Sequence, residues 1–62
     1  HIGNEIRKIR KQKGLSQVKL AKKIGISQQI ISRIERGDEN ISISTLKRIT
    51  DALEVKVNLQ LV

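Results

Sequence analysis

Between Gln17 and Gly37 the chain reads QVKLAKKIGISQQIISRIERG, and the placement of glycine and serine in this stretch permits few folds. Gly25 stands where a helix must stop and the backbone must turn left-handed, a conformation that costs a residue with a Cβ free energy. Ser27 then caps a new helix, and a second glycine, Gly37, closes it. Ala21 supplies a small side chain where one helix must approach the other closely. The segment is two short amphipathic helices joined by one glycine-centred turn.

That spacing is the spacing of a helix-turn-helix, an arrangement that carries a helix into a DNA groove. The rest of the chain fits around it without linkers, repeats or low-complexity tracts. Asn4 caps a first helix from Glu5 to Lys13, with Ile6 and Ile9 on one face and Gly14 at its end. Ser16 caps a second from Gln17 to Ile24, in which Leu20, Ala21 and Ile24 form the inward stripe and Val18 extends it. Gly25 and Ile26 make the turn. The third helix runs from Gln28 to Arg36, and Ser42 caps a fourth from Ile43 to Leu53, with Leu46, Ile49 and Leu53 at helical spacing. Asn40-Ile41-Ser42 also fits a glycosylation sequon, but the cap is the better reading of Ser42. After Glu54 the period changes: Val55, Val57, Leu59 and Leu61 alternate with Lys56, Asn58 and Gln60, which predicts a strand with one apolar face. The expected architecture is all-α, a single domain over 1–62 of four helices plus one C-terminal β-strand.

Composition excludes several functions. A chain of 62 residues hides only about 60% of the surface that its unfolded form exposes, so stability must come from helix packing or from a partner chain. There is no cysteine, and the single histidine is the first residue, so no metal site and no cofactor are expected. Nor is there a nucleophile beside a base, or a pair of carboxylates suited to a cleft, and an enzyme is not expected. Without any aromatic residue there is no platform for base stacking, which disfavours RNA and single-stranded DNA. No apolar run approaches the ~20 residues of a membrane span, and no charged leader precedes an apolar core, so a cytoplasmic protein is expected.

The net charge of +7 is unevenly placed. Residues 1–36 hold ten basic residues against Glu5 and Glu35, a balance of +8, whereas residues 37–62 hold three against four, a balance of −1. The side that faces a polyanion is therefore the N-terminal half, where the two-helix motif lies.

Within that half the third helix has two distinct sides. Each residue turns it by about 100°, which sets Gln28, Ser32, Arg36, Gln29 and Arg33 within one arc of about 140° that contains no apolar residue. Ile30, Ile31 and Ile34 occupy the opposite side. Glutamine can give and accept a hydrogen bond at the N6/N7 edge of adenine, arginine can grip O6/N7 of guanine, and serine lets the backbone come near. An ordinary exposed helix face would be richer in Glu and Lys. Ile30 borders the apolar arc, where it either packs on the domain or meets a thymine methyl.

Gln17, Leu20, Ala21, Lys23, Gly25, Gln28, Gln29, Ile31, Glu35 and Gly37 match the pattern of the Xre/Cro/cI-type helix-turn-helix family, which the chain resembles over most of its length. The run SISTLKRITDAL, from Ser42 to Leu53, looks like that family's next helix. The resemblance implies a λ-repressor-like bundle in which Gln28, Gln29, Ser32 and Arg33 face base edges or flanking sugars in the major groove. It implies a phosphate contact for Gln17, at the start of the second helix where the dipole favours an anion. Ser27 is either a cap alone or a cap whose hydroxyl also reaches a phosphate. Lys22 and Lys23, with Arg7, Lys8 and Lys11, are phosphate contacts or solvated charge, and Arg36 joins the phosphate candidates. Arg10 and Glu35 match positions that form a buried ion pair in phage repressors of this family, which would tie the first helix to the third.

A lone strand leaves unpaired backbone groups on both edges, and a second copy is the simplest partner for them. Two strands of residues 55–62 would pair antiparallel across a two-fold axis and give a homodimer. Two recognition helices would then meet a palindromic operator in double-stranded DNA, with half-sites one turn, ~34 to 36 Å, apart. The ending from Ala52 to Val62 is similar to that of antitoxins of the HipB type, which implies a repressor that autoregulates a toxin-antitoxin operon and has a toxin protein as partner. The alternatives are a stand-alone or phage-type regulator, and a protein-interaction module whose basic face binds an acidic partner.

Overall fold

The computed structural model describes residues 1–54, and the strand expected over 55–62, with the pairing of Val55, Val57, Leu59 and Leu61 across a dimer, lies outside the described residues. The described part is all-helical: α1 (Ile2–Gln12), α2 (Gln17–Ile24), α3 (Gln28–Arg36) and α4 (Ile43–Ala52). The start of each of the last three is fixed by a serine hydroxyl. Ser16, Ser27 and Ser42 accept from the backbone N–H groups of Lys19, Ile30 and Thr45 at 3.1, 3.3 and 3.2 Å, and so satisfy donors that the helix itself leaves without partners. Gly25 and Gly37 take φ values of +72° and +81° at the ends of α2 and α3, the left-handed turn that a Cβ would oppose.

The first helix begins earlier than its sequence suggests. Its cap is His1, whose Nδ1 accepts from Gly3 N–H at 3.1 Å, rather than Asn4. Glycine is a poor helix former, and a reading from local propensity therefore starts the helix beyond it. Tertiary packing reverses that preference. A Cβ at residue 3 would overlap the carbonyl oxygen of Ile34 and lie 2.9 Å from that of Glu35, so the missing side chain is what lets α1 reach the C-terminal turn of α3.

Helices α2 and α3 form the centre, with α1 packed on α3 and α4 on α2. Ile6, Leu20, Ala21, Ile24, Ile31, Ile34, Ile49 and Leu53 make a wholly aliphatic core, flanked by the half-buried Ile9, Leu15, Ile26, Ile30, Ile41, Leu46 and Ala52. Fully burying a Leu or Ile contributes about 1.5 to 3 kcal/mol, and the core must offset the chain entropy of a very short domain. Val18 does not belong to it. It remains 45% exposed, because α3 and α4 cover the side of α2 that carries Leu20, Ala21 and Ile24 and leave its neighbour in solvent.

Candidate nucleic-acid interface

The two central helices are built alike at their starts: a capping serine is followed at once by a glutamine, Gln17 in α2 and Gln28 in α3. Folding brings these glutamines together, and Gln28 Nε2 donates to Gln17 Oε1 at 3.2 Å. Behind Gln28, Ile31 and Ile34 are buried, so the helix is held by its rear and turns Gln28, Gln29, Arg33 and Arg36 outward as exposed side chains. Ser32, from the same arc, is half-buried.

Ser32 lines a shallow cleft between α1 and α3 together with Arg7, Arg10, Gln17, Glu35 and Arg36. At its floor is a buried charge pair. Arg10 Nε donates to Glu35 Oε2 at 2.7 Å and Nη2 donates to Oε1 at 3.1 Å, while Nη1 donates to the carbonyl of Leu15 at 2.7 Å. Arg10 is 7% and Glu35 4% exposed, and this two-pronged geometry is what lets charges leave water at tolerable cost. Gln17 completes the arrangement by donating from Nε2 to Glu35 Oε1 at 3.1 Å. No buried side-chain nitrogen or oxygen among the described residues lacks a partner.

The phosphate candidates are not equivalent in their surroundings. Ser27 is engaged as the α3 cap with its residue exposed, and Lys22 is exposed. Arg36 Nε lies 3.4 Å from Asp38 Oδ2, both side chains well in solvent, where such a pair contributes little. Lys23 points elsewhere: its Nζ is 3.5 Å from the carbonyl oxygen of Ala52, at the end of α4. Arg48 of α4 answers by donating to the carbonyl of Ile24 at the end of α2. Each helix thus places a cation on the other's C-terminal carbonyls, where the helix dipole favours it.

Sequence reasoning did not anticipate the Gln17–Gln28 bond, the Gln17–Glu35 bond or the Arg48 cap. The matching Ser-Gln pairs at the two helix starts are the one local hint. Among the described residues no group of three or more His, Cys, Asp or Glu is placed to hold a metal, and no helix is long and apolar enough to cross a membrane.

Known proteins resemble the chain in sequence and in fold. A helix-turn-helix family model matches residues 6–60. The chain is 40% identical over 58 residues to the antitoxin HipB of Escherichia coli O6:H1, a match that spans 94% of this chain and 62% of that protein. It is 40% identical over 57 residues to the immunity repressor protein of Bacillus phage phi105, spanning 92% of this chain and 40% of the repressor. The chain therefore covers less than two thirds of the length of either relative. Among solved structures, SinR, the master regulator for biofilm formation, in complex with DNA superposes with a TM-score of 0.84 at 38% identity and covers 90% of both chains. With its capped helix pair, glycine turn and outward glutamine face, the chain belongs to the Xre/Cro/cI-type helix-turn-helix family, a family of DNA-binding regulators and not of enzymes.

Proposed function

We propose that this protein is a sequence-specific, double-stranded-DNA-binding transcriptional repressor whose α3 reads base edges through Gln28, Gln29, Ser32 and Arg33. The observation that carries the reading is the division of α3, with Ile31 and Ile34 buried on one side and Gln28, Gln29 and Arg33 exposed on the other. Gln17, Ser27, Lys22, Lys23 and Arg36 are the phosphate contacts in this proposal, Lys23 only after leaving the Ala52 carbonyl. The half of the chain that carries α2 and α3 also carries the excess positive charge. Structures of SinR with DNA and of HipB in an O1–O2 complex, at TM-scores of 0.84 and 0.81, lend the reading support by likeness.

In its finer form the protein is an antitoxin that represses its own toxin-antitoxin operon as a homodimer on a palindromic operator, a reading favoured by the 40% identity to HipB. A stand-alone or phage-type regulator is the second reading, favoured by equal identity to a phage immunity repressor. A kinase-like or ribonuclease toxin in the neighbouring open reading frame supports the first.

The test is binding to random and selected duplexes over a range of salt. Gln28→Ala should lose about 1 to 3 kcal/mol at one base pair and relax preference there, whereas Lys22→Ala should weaken all sequences alike and lower the salt slope by about one. Equal losses on every duplex for both variants would remove the base-reading role. Deleting 55–62 should leave the helices folded and weaken palindrome binding. An unchanged mass in sedimentation after that deletion rejects dimerisation through this segment.

A further inference from the structure

Arg36 belongs to the exposed arc of α3 with Gln28, Gln29 and Arg33, an arc that carries no acid of its own. The turn after the helix brings one to it. Gly37, left-handed at φ +81°, donates its N–H to the Ile34 carbonyl at 3.1 Å, and Asp38 donates its N–H to the Arg33 carbonyl at 2.8 Å, a pairing that fixes a helix end. The backbone of Asp38 is thereby held against the last turn of α3, and its Oδ2 lies 3.4 Å from Arg36 Nε.

Stability gives no reason for a carboxylate at this place. The end of α3 carries the negative pole of the helix dipole, which disfavours an acid, and an ion pair whose side chains are 64% and 65% exposed contributes little. Its consequence falls on Arg36 instead. We infer that Asp38 is an intramolecular competitor for the phosphate that Arg36 would bind, and that it holds down affinity for every duplex irrespective of sequence. The inference rests on the phosphate role proposed for Arg36. A phosphate on that guanidinium would lie within one Debye length, ~8 Å at physiological salt, of the Asp38 carboxylate and be repelled by it. A guanidinium already balanced by a carboxylate also neutralises a phosphate incompletely, so fewer counterions leave the DNA on binding.

The experiment uses the full chain. Binding to a random-sequence duplex and to a duplex selected by the wild type is followed by fluorescence anisotropy over a series of salt concentrations. Asp38→Asn keeps the shape of the side chain and the backbone N–H and removes the charge. It should tighten both duplexes by a similar factor, about two- to fivefold at low salt, the range expected of an exposed pair. It should also steepen the salt dependence, by up to about one unit of slope. Glu39→Gln makes the same change in net charge at the next residue, which is exposed and forms no ion pair among the described residues, and should alter both quantities less. Arg36→Ala should weaken binding more in the Asp38→Asn background than in the wild type, because only there is the guanidinium free of its competitor. Equal gains from Asp38→Asn and Glu39→Gln overturn the inference, since net charge alone then accounts for them, and so does an Asp38→Asn protein that binds no tighter. An Arg36→Ala loss that is the same in both backgrounds also overturns it while leaving the phosphate role standing. If Arg36→Ala has no effect in either background, the phosphate role itself falls and this inference falls with it.

Discussion

Two clasps fasten the outer helices to the central pair, and they use positive charge in opposite ways. On the α1–α3 side Arg10 is almost fully out of water, with all its hydrogen bonds going to Glu35 and the Leu15 carbonyl. On the α2–α4 side Arg48 and Lys23 sit at the surface and reach the last carbonyls of the facing helix, Ile24 and Ala52. A buried pair is costly to break because the surviving partner stays charged in a poor solvent, while a surface cation is easily replaced by water. The first clasp also continues through Gln17 to Gln28, so it joins the packing of the domain to the face that would meet DNA. The second joins the ends of α2 and α4 and has no such link to Gln28.

Breaking the first clasp should have the largest effect. Arg10→Ala, which leaves Glu35 buried without its partner, is expected to lower the unfolding free energy by about 3 to 5 kcal/mol in urea denaturation. The double change Arg10→Met with Glu35→Leu sharpens the comparison, since replacing both partners by apolar groups of similar size is often neutral. It should recover most of the lost stability, read by the same urea denaturation. Gly3→Ala tests whether α1 depends on close approach as well as on the ion pair. A methyl group forced against the Ile34 and Glu35 carbonyls should cost about 1 to 3 kcal/mol, read as a lower thermal midpoint. The smallest effect is expected at the second clasp. Arg48→Ala should cost about 0.3 to 1 kcal/mol of stability, the ordinary worth of a cation at a helix C-terminus, with base preference unchanged. A change in preference there would erase the distinction between the clasps.

The helices at the centre were readable because their boundary signals are local. A serine accepts from an N–H three residues on, and a glycine sets the conformation of its own backbone, so the ranges Gln17–Ile24 and Gln28–Arg36 can be found by reading a few residues at a time. The two aliphatic stripes follow from the helical period, with Val18 as the exception, since the period cannot say how far a neighbouring helix extends. The α1 boundary was obscured for a related reason: Gly3 looks like a helix breaker until α3 is placed against it. For Lys23, composition offers a cation suited to phosphate, and only the position of α4 gives it a carbonyl to approach.

By itself the sequence determined the ranges of α2 and α3, which side of α3 is apolar, and that the N-terminal half carries the positive charge. The tertiary structure decided what the polar side chains at the edges of those helices are bonded to. Gln28 and Gln17 are 11 residues apart, Gln17 and Glu35 18, and Arg10 and Glu35 25. Capping and helical periodicity act within about a turn of helix. A hydrogen bond between distant residues exists only once packing has brought its donor and acceptor within about 3 Å, and its direction depends on the last acceptor in the line, the carboxylate of Glu35.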